Sequence, residues 1–174
     1  YMRLKIFRFV SAGLLLGWMI LIFVLSNETA AVSSQTSGGF SKLLFSFFYP
    51  SFNDMSDLSQ QEIISEASFI IRKIAHFTIY GFLGVFALLS VISYRRLRYS
   101  VRCAAAFLIC AAYAACDEWH QTFIAGRNGE LRDVIIDSCG ALLFIIIFNI
   151  ILYSVKRRRK SSEIENRSGS EKID

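Results

Sequence analysis

The sequence predicts an all-α membrane protein, a bundle of four transmembrane helices with an interfacial segment on its outer side. Hydrophobic residues make up 54% of the 174 residues, and the mean hydropathy is +0.45. Soluble domains are usually less apolar than this. Four apolar runs come close to the roughly 20 residues that a helix needs to cross a bilayer, and basic residues flank them.

The first run covers residues 9–25 and follows Arg3, Lys5 and Arg8. A basic start before an apolar core also fits a secretory signal peptide, with Thr29-Ala30-Ala31 as a poor cleavage site. The core is long for a signal peptide, and Glu28 is an awkward neighbour for cleavage. We therefore interpret the run as the first transmembrane helix.

A long polar connection then leads to the second run. Its first part, SNETAAVSSQTSGGFS, is rich in Ser, Thr and Gly, which predicts a loop. Residues 40–49 hold five aromatic side chains before Pro50, which predicts a segment lying in the membrane interface. Ser59 followed by Glu62 is a capping-box pattern, and the helix that it starts is expected to run on into the second span.

The remaining spans are expected at about residues 74–94, 103–122 and 133–153. The basic group Arg95–Arg98 follows the second span, and Lys156–Lys160 follows the last. Residues 1–155 thus form one transmembrane domain, and residues 156–174 are expected to be a basic and then disordered tail. The four cysteines lie in or beside apolar runs without disulfide-like spacing, so we interpret them as packing residues.

The charges predict the orientation in the membrane. If both termini and the turn after the second span share one side, that side holds fourteen of the nineteen Lys and Arg residues. The other side then holds ten of the fourteen acidic residues. The positive-inside rule places the basic side in the cytoplasm, so a multi-pass protein with both termini cytoplasmic is expected.

This topology brings three polar faces to one depth near the outer surface. Helical spacing at i, i+3, i+4 and i+7 groups the side chains of each face. The faces are Lys73, His76 and Tyr80 on the second span, Tyr113, Asp117, His120 and Gln121 on the third, and Asp133 and Asp137 on the fourth. Ionisable residues at this depth turn inward and mark a functional site by default, so we expect a polar pocket here.

Several chemistries fit this cluster. Pairing of Lys73, Arg127 and Arg132 with the acids would make it a structural network. A metal site of His76, His120 and Asp117 is chemically possible, but the spacing is not a known ligand pattern and no cofactor is expected. Acid–base catalysis is the third reading, with candidates His76, Asp117, Glu118, His120 and Asp137.

The segment AGRNGELRD at residues 125–133 joins the third and fourth spans. Arg127 and Arg132 could clamp a phosphate or carboxylate through forked hydrogen bonds. Gly126 and Gly129 also fit a tight turn with positive φ at both glycines. The basic runs at the other end are ordinary topology determinants with affinity for anionic lipids, so membrane lipids are expected partners and nucleic acid is not.

Two motifs resemble the VanZ-like family: RKIAHFTIYGFLGVF at residues 72–86 and DEWHQTFIAGRNGELRDVIIDSCGALL at residues 117–143. The segment FVLSNETAAVSSQTSGGFS is also similar to that family, and the resemblance covers residues 9–153. The motif positions are Lys73, His76, Tyr80, Gly84, Asp117, Glu118, Gln121, Arg127, Asp133, Asp137 and Gly140; His120 also matches.

The resemblance implies a bacterial cell-membrane protein related to resistance against glycopeptides of the teicoplanin type. A binding role is then expected, in which the outward pocket engages a cell-envelope lipid, a lipid-linked wall precursor or the glycopeptide. The alternative is a membrane enzyme that modifies a lipid-linked envelope substrate by carboxylate and histidine chemistry. Neither reading identifies a nucleophile.

Overall fold

The computed structural model describes the backbone of residues 2–94 and 96–170 and the side chains through residue 159, except that of Arg95. It confirms the all-α prediction, with no strand in these ranges. The helices are α1 (Met2–Ser26), α2 (Ala30–Phe48), α3 (Asp57–Ile92), α4 (Tyr99–Gln121) and α5 (Leu131–Ser170), and a 3₁₀ turn at Pro50–Asp54 joins α2 to α3. Within the described residues four helices are long and apolar enough to span a membrane: Met2–Ser26, Asp57–Ile92, Tyr99–Gln121 and Leu131–Arg159.

Helix α3 is the central element, and it contacts each of the other α-helices. Tyr80, Leu83 and Leu88 of α3 are fully buried. They pack against small residues of α4, such as Ala106 and Ala114. Large apolar side chains instead cover the outside of the bundle, as a lipid solvent allows.

Glycines set the close approach between α3 and α5. A Cβ at Gly84 would lie 2.6 Å from the carbonyl oxygen of Ala141, and one at Gly140 would overlap the carbonyl group of Phe77. Small residues let membrane helices come this close. Because Phe77 follows His76 and Gly140 lies one turn after Asp137, this contact brings the polar faces of α3 and α5 together.

The loop prediction for SNETAAVSSQTSGGFS is wrong, because most of this segment forms the first half of α2. The Thr29 hydroxyl caps the helix by accepting from the Val32 amide at 3.4 Å. Ser41 is fully buried, and its hydroxyl lies 3.2 Å from that of Ser68 on α3. Ser and Gly residues usually favour a loop, but here their small size lets α2 pack closely against α3.

Of the two predictions for the start of α3, one is wrong and one is confirmed. The predicted capping box is wrong by three residues, because Ser56 is the N-cap and accepts from the Ser59 amide at 3.3 Å. The unbroken continuation into the second span is confirmed, since α3 runs from Asp57 to Ile92. Residues 40–48 form the second half of α2, and their position at the membrane interface stays a prediction.

Helix α5 continues to Ser170, so the described part of the tail is helical where disorder was expected. Lys, Arg and Glu, which are good helix formers, make up much of this extension. Residues 171–174 of that tail and Arg95 of the basic turn lie outside the described residues. The four cysteines are free, and the single transmembrane domain stays a prediction.

The two ends of the bundle are distinct. Arg8 of α1 donates to the Ser93 carbonyl at 3.2 Å, and Tyr99 of α4 bonds to Asn149 of α5, which places these segments at one end. The opposite end, called the site end below, holds the carboxyl ends of α1 and α4 and the start of α5. There the Ala30 amide donates to the Ala125 carbonyl at 3.3 Å, which ties the start of α2 to the α4–α5 loop.

Candidate functional site

Asp117 forms the hydrogen-bonded centre of the site end. Its Oδ2 accepts from the Ser26 hydroxyl at 2.8 Å, the Tyr80 hydroxyl at 3.0 Å and the Gln121 amide at 3.3 Å. The side chain is 4% exposed. Three helices, α1, α3 and α4, are thereby joined through one carboxyl oxygen, as buried polar groups require.

Sequence reasoning missed Ser26. It is the last residue of α1 and is buried. The only signal in the sequence was a small hydroxyl residue at the end of an apolar run. Its role depends on Asp117, which lies 91 residues further along the chain.

Asp137 is buried more deeply than Asp117, yet it has no hydrogen bond. It is 1% exposed, and neither carboxyl oxygen has a partner in the described part of the chain. His76 is the ionisable group paired with it, and its Nδ1 lies 3.8 Å from Oδ2. That distance is longer than a normal hydrogen bond. The structure thus brings His76 and Asp137 together, as expected from the four-span topology.

Two further carboxylates have structural partners. Asp133 forms a salt bridge with Lys73. Glu118 accepts from the Glu130 amide at 3.0 Å, which fastens the end of α4 to the residue before α5. Gly129 belongs to the same contact, because a Cβ there would overlap the Glu118 carbonyl.

Only one glycine of the α4–α5 loop has the expected backbone conformation. Gly126 has φ 74°, as predicted. Gly129 has no positive φ, so that part of the prediction is wrong. Its requirement for glycine comes from close backbone approach, which spacing in the sequence does not reveal.

Arg127 and Arg72 lie near one another without a salt bridge to any residue that the structure describes. Arg127 donates to the Gln121 amide oxygen at 3.2 Å, and Arg72 donates to the Ser34 hydroxyl at 3.3 Å. Burial, and next the Arg72 guanidinium, lower the pKa of Arg127. Sequence reasoning did not select Arg72, because it precedes the apolar run and looks like a flanking charge.

Two residues of the expected polar faces, and the further binding candidate Arg132, do not line the cavities of the site end. The His120 ring stacks on Phe23 of α1, with centroids 4.9 Å apart. Tyr113 donates to the Met19 carbonyl at 2.6 Å, and Arg132 is exposed. The metal alternative of His76, His120 and Asp117 therefore does not fit. Nor do the described residues offer any group of three or more His, Cys, Asp or Glu side chains suited to a metal ion.

Two cavities meet at the site end. The first, called the polar pocket, has a volume of about 160 Å³ and is lined by residues including Arg72, Lys73, His76, Arg127 and Asp133. The second, called the lateral groove, has a volume of about 300 Å³ and runs between α1, α2 and α3. Arg72, His76 and Arg127 line both cavities. Asp137 lines neither and lies behind His76.

This arrangement can bind an anion and exchange a proton. Guanidinium groups bind phosphate and carboxylate through paired hydrogen bonds. An imidazole with a carboxyl group behind it can act as an acid or a base toward a molecule in the cavity. The hydrogen bonds of Asp117 hold the helices that position these groups.

Comparison with protein families identified a match for most of the chain. The model of a family described as VanZ/LLP1 matches residues 11–152, which is more than half of the chain. The matched region includes all four candidate spans, apart from residues 2–10 of the first and residues 153–159 of the last. No curated protein and no solved structure matched the chain.

Proposed function

The chain belongs to the VanZ/LLP1 family, and from that premise we propose that it binds an envelope molecule in an outward-facing polar pocket. The proposed ligands are a cell-envelope lipid, a lipid-linked wall precursor or a glycopeptide. Binding there would contribute to glycopeptide resistance of the teicoplanin type. In this proposal the protein lies in a bacterial cell membrane with both termini in the cytoplasm, so that the site end faces outward.

One observation carries the proposal: Asp137 is almost fully buried and has no hydrogen-bond partner among the described residues. An unpartnered buried polar group costs about 1–3 kcal/mol. Asp137 takes no part in the hydrogen bonds that join the helices around Asp117, which leaves its carboxyl group for a ligand or a proton. The pocket next to it is lined by three cations and one carboxylate, Asp133, so it favours an anionic ligand.

The test replaces Asp137 by its neutral isostere in a strain whose teicoplanin resistance depends on this protein. Asp137→Asn breaks no hydrogen bond of the described structure, so membrane insertion and protein level should stay unchanged. Resistance should fall to the level of the deletion strain. Asp117→Asn should have the same phenotype, because the amide oxygen can still accept from Ser26 and Tyr80 but the negative charge at the centre of the site is lost.

Glu62→Gln is the matched control, because Glu62 is an exposed acid on the first half of α3. Its resistance should equal that of the unmodified protein. If Asp137→Asn and Asp117→Asn both retain full resistance at normal protein levels, the pocket has no chemical role and the proposal is wrong.

A second function, modification of a lipid-linked envelope substrate, is favoured by the His76–Asp137 pair. His76 lines both cavities, while Asp137 lies 3.8 Å behind its Nδ1. A carboxyl group in this position can orient an imidazole, and such hydrogen bonds often shorten only when substrate is bound. His76 would then take a proton from the attacking group or give one to the leaving group.

Product analysis separates the enzyme from the binding protein. Purified protein in lipid is incubated with isotope-labelled wall precursors, and the lipid extract is analysed by mass spectrometry. An altered precursor that disappears with His76→Ala but persists with His120→Ala indicates the enzyme, since His120 is stacked on Phe23. Saturable binding with unchanged precursor indicates the binding protein.

A further inference from the structure

We infer that the site takes a lipid phosphate from the side of the bundle, with the phosphate between Arg72 and Arg127 and the hydrocarbon chain in the lateral groove. The inference rests on the proposed function and specifies the chemical class of its ligand. It also assigns a role to Arg72, which is not among the motif positions, and to the groove, which the sequence does not indicate.

The phosphate position follows from the balance of charge in the polar pocket. Lys73 is already paired with Asp133. Arg72 and Arg127 form no salt bridge within the described residues, and each donates only to a neutral acceptor. Two guanidinium groups held near one another repel, and an anion between them would remove that repulsion.

The chain position follows from the lining of the lateral groove. Its apolar residues come from three helices: Leu25 of α1, Phe40 of α2, and Ile71, Ala75 and Ile79 of α3. Ile79 lies two turns below Arg72 along α3, so the groove descends from the cations into the transmembrane part of the bundle. Hydrocarbon in such a groove would contact the protein without leaving the membrane.

The two cavities belong to one ligand because they share Arg72, His76 and Arg127. An amphipathic molecule with a charged head and an apolar chain fits this junction. A soluble anion would leave the groove unused. Glu28 is the one acidic residue of the groove lining, and its charge weakens the attraction for a phosphate.

The ligand experiment uses the full chain in a neutral detergent and native mass spectrometry. The protein is titrated with phosphatidic acid, a polyprenyl phosphate, phosphatidylcholine of matched chains, and inorganic phosphate. At least one of the two lipid phosphates should bind about tenfold more tightly than phosphatidylcholine, and inorganic phosphate should not displace it. Equal binding of phosphatidylcholine, or displacement by inorganic phosphate at equal concentration, would overturn the inference.

Paired variants locate the two parts of the ligand. The double variant Arg72→Gln, Arg127→Gln should lose the preference for lipid phosphates, while Arg132→Gln should keep it, because Arg132 is exposed at the same end. Ala75→Phe should fill the groove and weaken binding about tenfold. Ile74→Phe, at an adjacent position that is 59% exposed, should bind normally.

A variant that binds the lipid more tightly cannot be explained by misfolding, which would only weaken binding. Glu28→Gln removes the acid of the groove and should tighten lipid phosphate binding severalfold. If neither Glu28→Gln nor Ala75→Phe changes the affinity, the groove does not hold the chain. Failure here while Asp137→Asn still abolishes resistance would reject the lipid phosphate and leave the pocket function standing. Retained resistance with Asp137→Asn and Asp117→Asn would reject the pocket function itself.

Discussion

The two buried carboxyl groups at the site end differ in how the fold treats them. Asp117 accepts three hydrogen bonds on one oxygen from α1, α3 and α4. Asp137 accepts none within the described chain and lies 3.8 Å from His76. Both are less than 5% exposed. Burial alone therefore does not distinguish a carboxyl group that joins helices from one that has no hydrogen-bond partner in the described chain.

The difference teaches where stability and function separate in this protein. Removing Asp117 should damage the fold, because its donors would lose their acceptor. Removing Asp137 should damage function with little effect on the fold. Four substitutions test this contrast, in order of the expected change in the free energy of unfolding.

Asp117→Leu should give the largest effect. It leaves the Ser26 and Tyr80 hydroxyls and the Gln121 amide without their acceptor inside the bundle. Each unpaired buried donor costs about 1–3 kcal/mol, so a loss of about 3 kcal/mol or more is expected. Thermal unfolding in detergent measures it. An unchanged midpoint would mean that the Asp117 network does not stabilise the bundle.

Gly140→Ala should come next, because its methyl group would overlap the Phe77 carbonyl. Forcing a side chain into a well-packed contact costs about 1–3 kcal/mol. The variant should also move Asp137 away from His76 and lower resistance. Gly39→Ala is the control, since a Cβ there meets nothing within 4 Å. Equal unfolding midpoints for the two variants would contradict the close α3–α5 contact.

Tyr80→Phe removes one of the three donors to Asp117 and keeps the buried ring. Hydrogen bonds between membrane helices contribute about 0.6 kcal/mol on average, so a loss of that size is expected in chemical unfolding. A double-mutant cycle with Ser26→Ala should show that the two donors are coupled through Asp117. Strict additivity would indicate that they act independently.

Asp137→Leu should give the smallest change in stability, close to zero or slightly stabilising. Leucine fills a similar volume, no hydrogen bond is lost, and the cost of burying a carboxyl group without a hydrogen-bond partner disappears. Resistance should nevertheless disappear. A destabilisation as large as that of Asp117→Leu would show that Asp137 has a structural role and would remove the contrast.

Much of the site was predictable because helical periodicity acts over short distances. The i, i+3, i+7 spacing of Lys73, His76 and Tyr80 placed them on one face of α3, and the structure puts each against a carboxyl group of another helix. The same reasoning failed for His120, whose ring stacks on Phe23 of α1, because helical spacing does not show which neighbouring helix a side chain meets.

Other features were hidden because they depend on what lies opposite in space. The loop prediction for the start of α2 failed because the Ser41 hydroxyl donates back to the Ser37 carbonyl at 2.7 Å and packs against Ser68 of α3. Gly129 looked like a turn residue, but its requirement comes from the Glu118 carbonyl. Composition within a short window contains no information about such partners.

The sequence by itself determined four apolar spans, their alternating direction and the polar residues that share each helix face, because hydropathy and helical spacing are local properties. Only the tertiary structure decided that Ser26 bonds to Asp117, that Asp137 is left without a hydrogen bond, and that Arg72 joins the polar pocket to the lateral groove. Those outcomes depend on how closely the helices approach one another. The glycine contacts that set this distance lie between residues far apart in the chain.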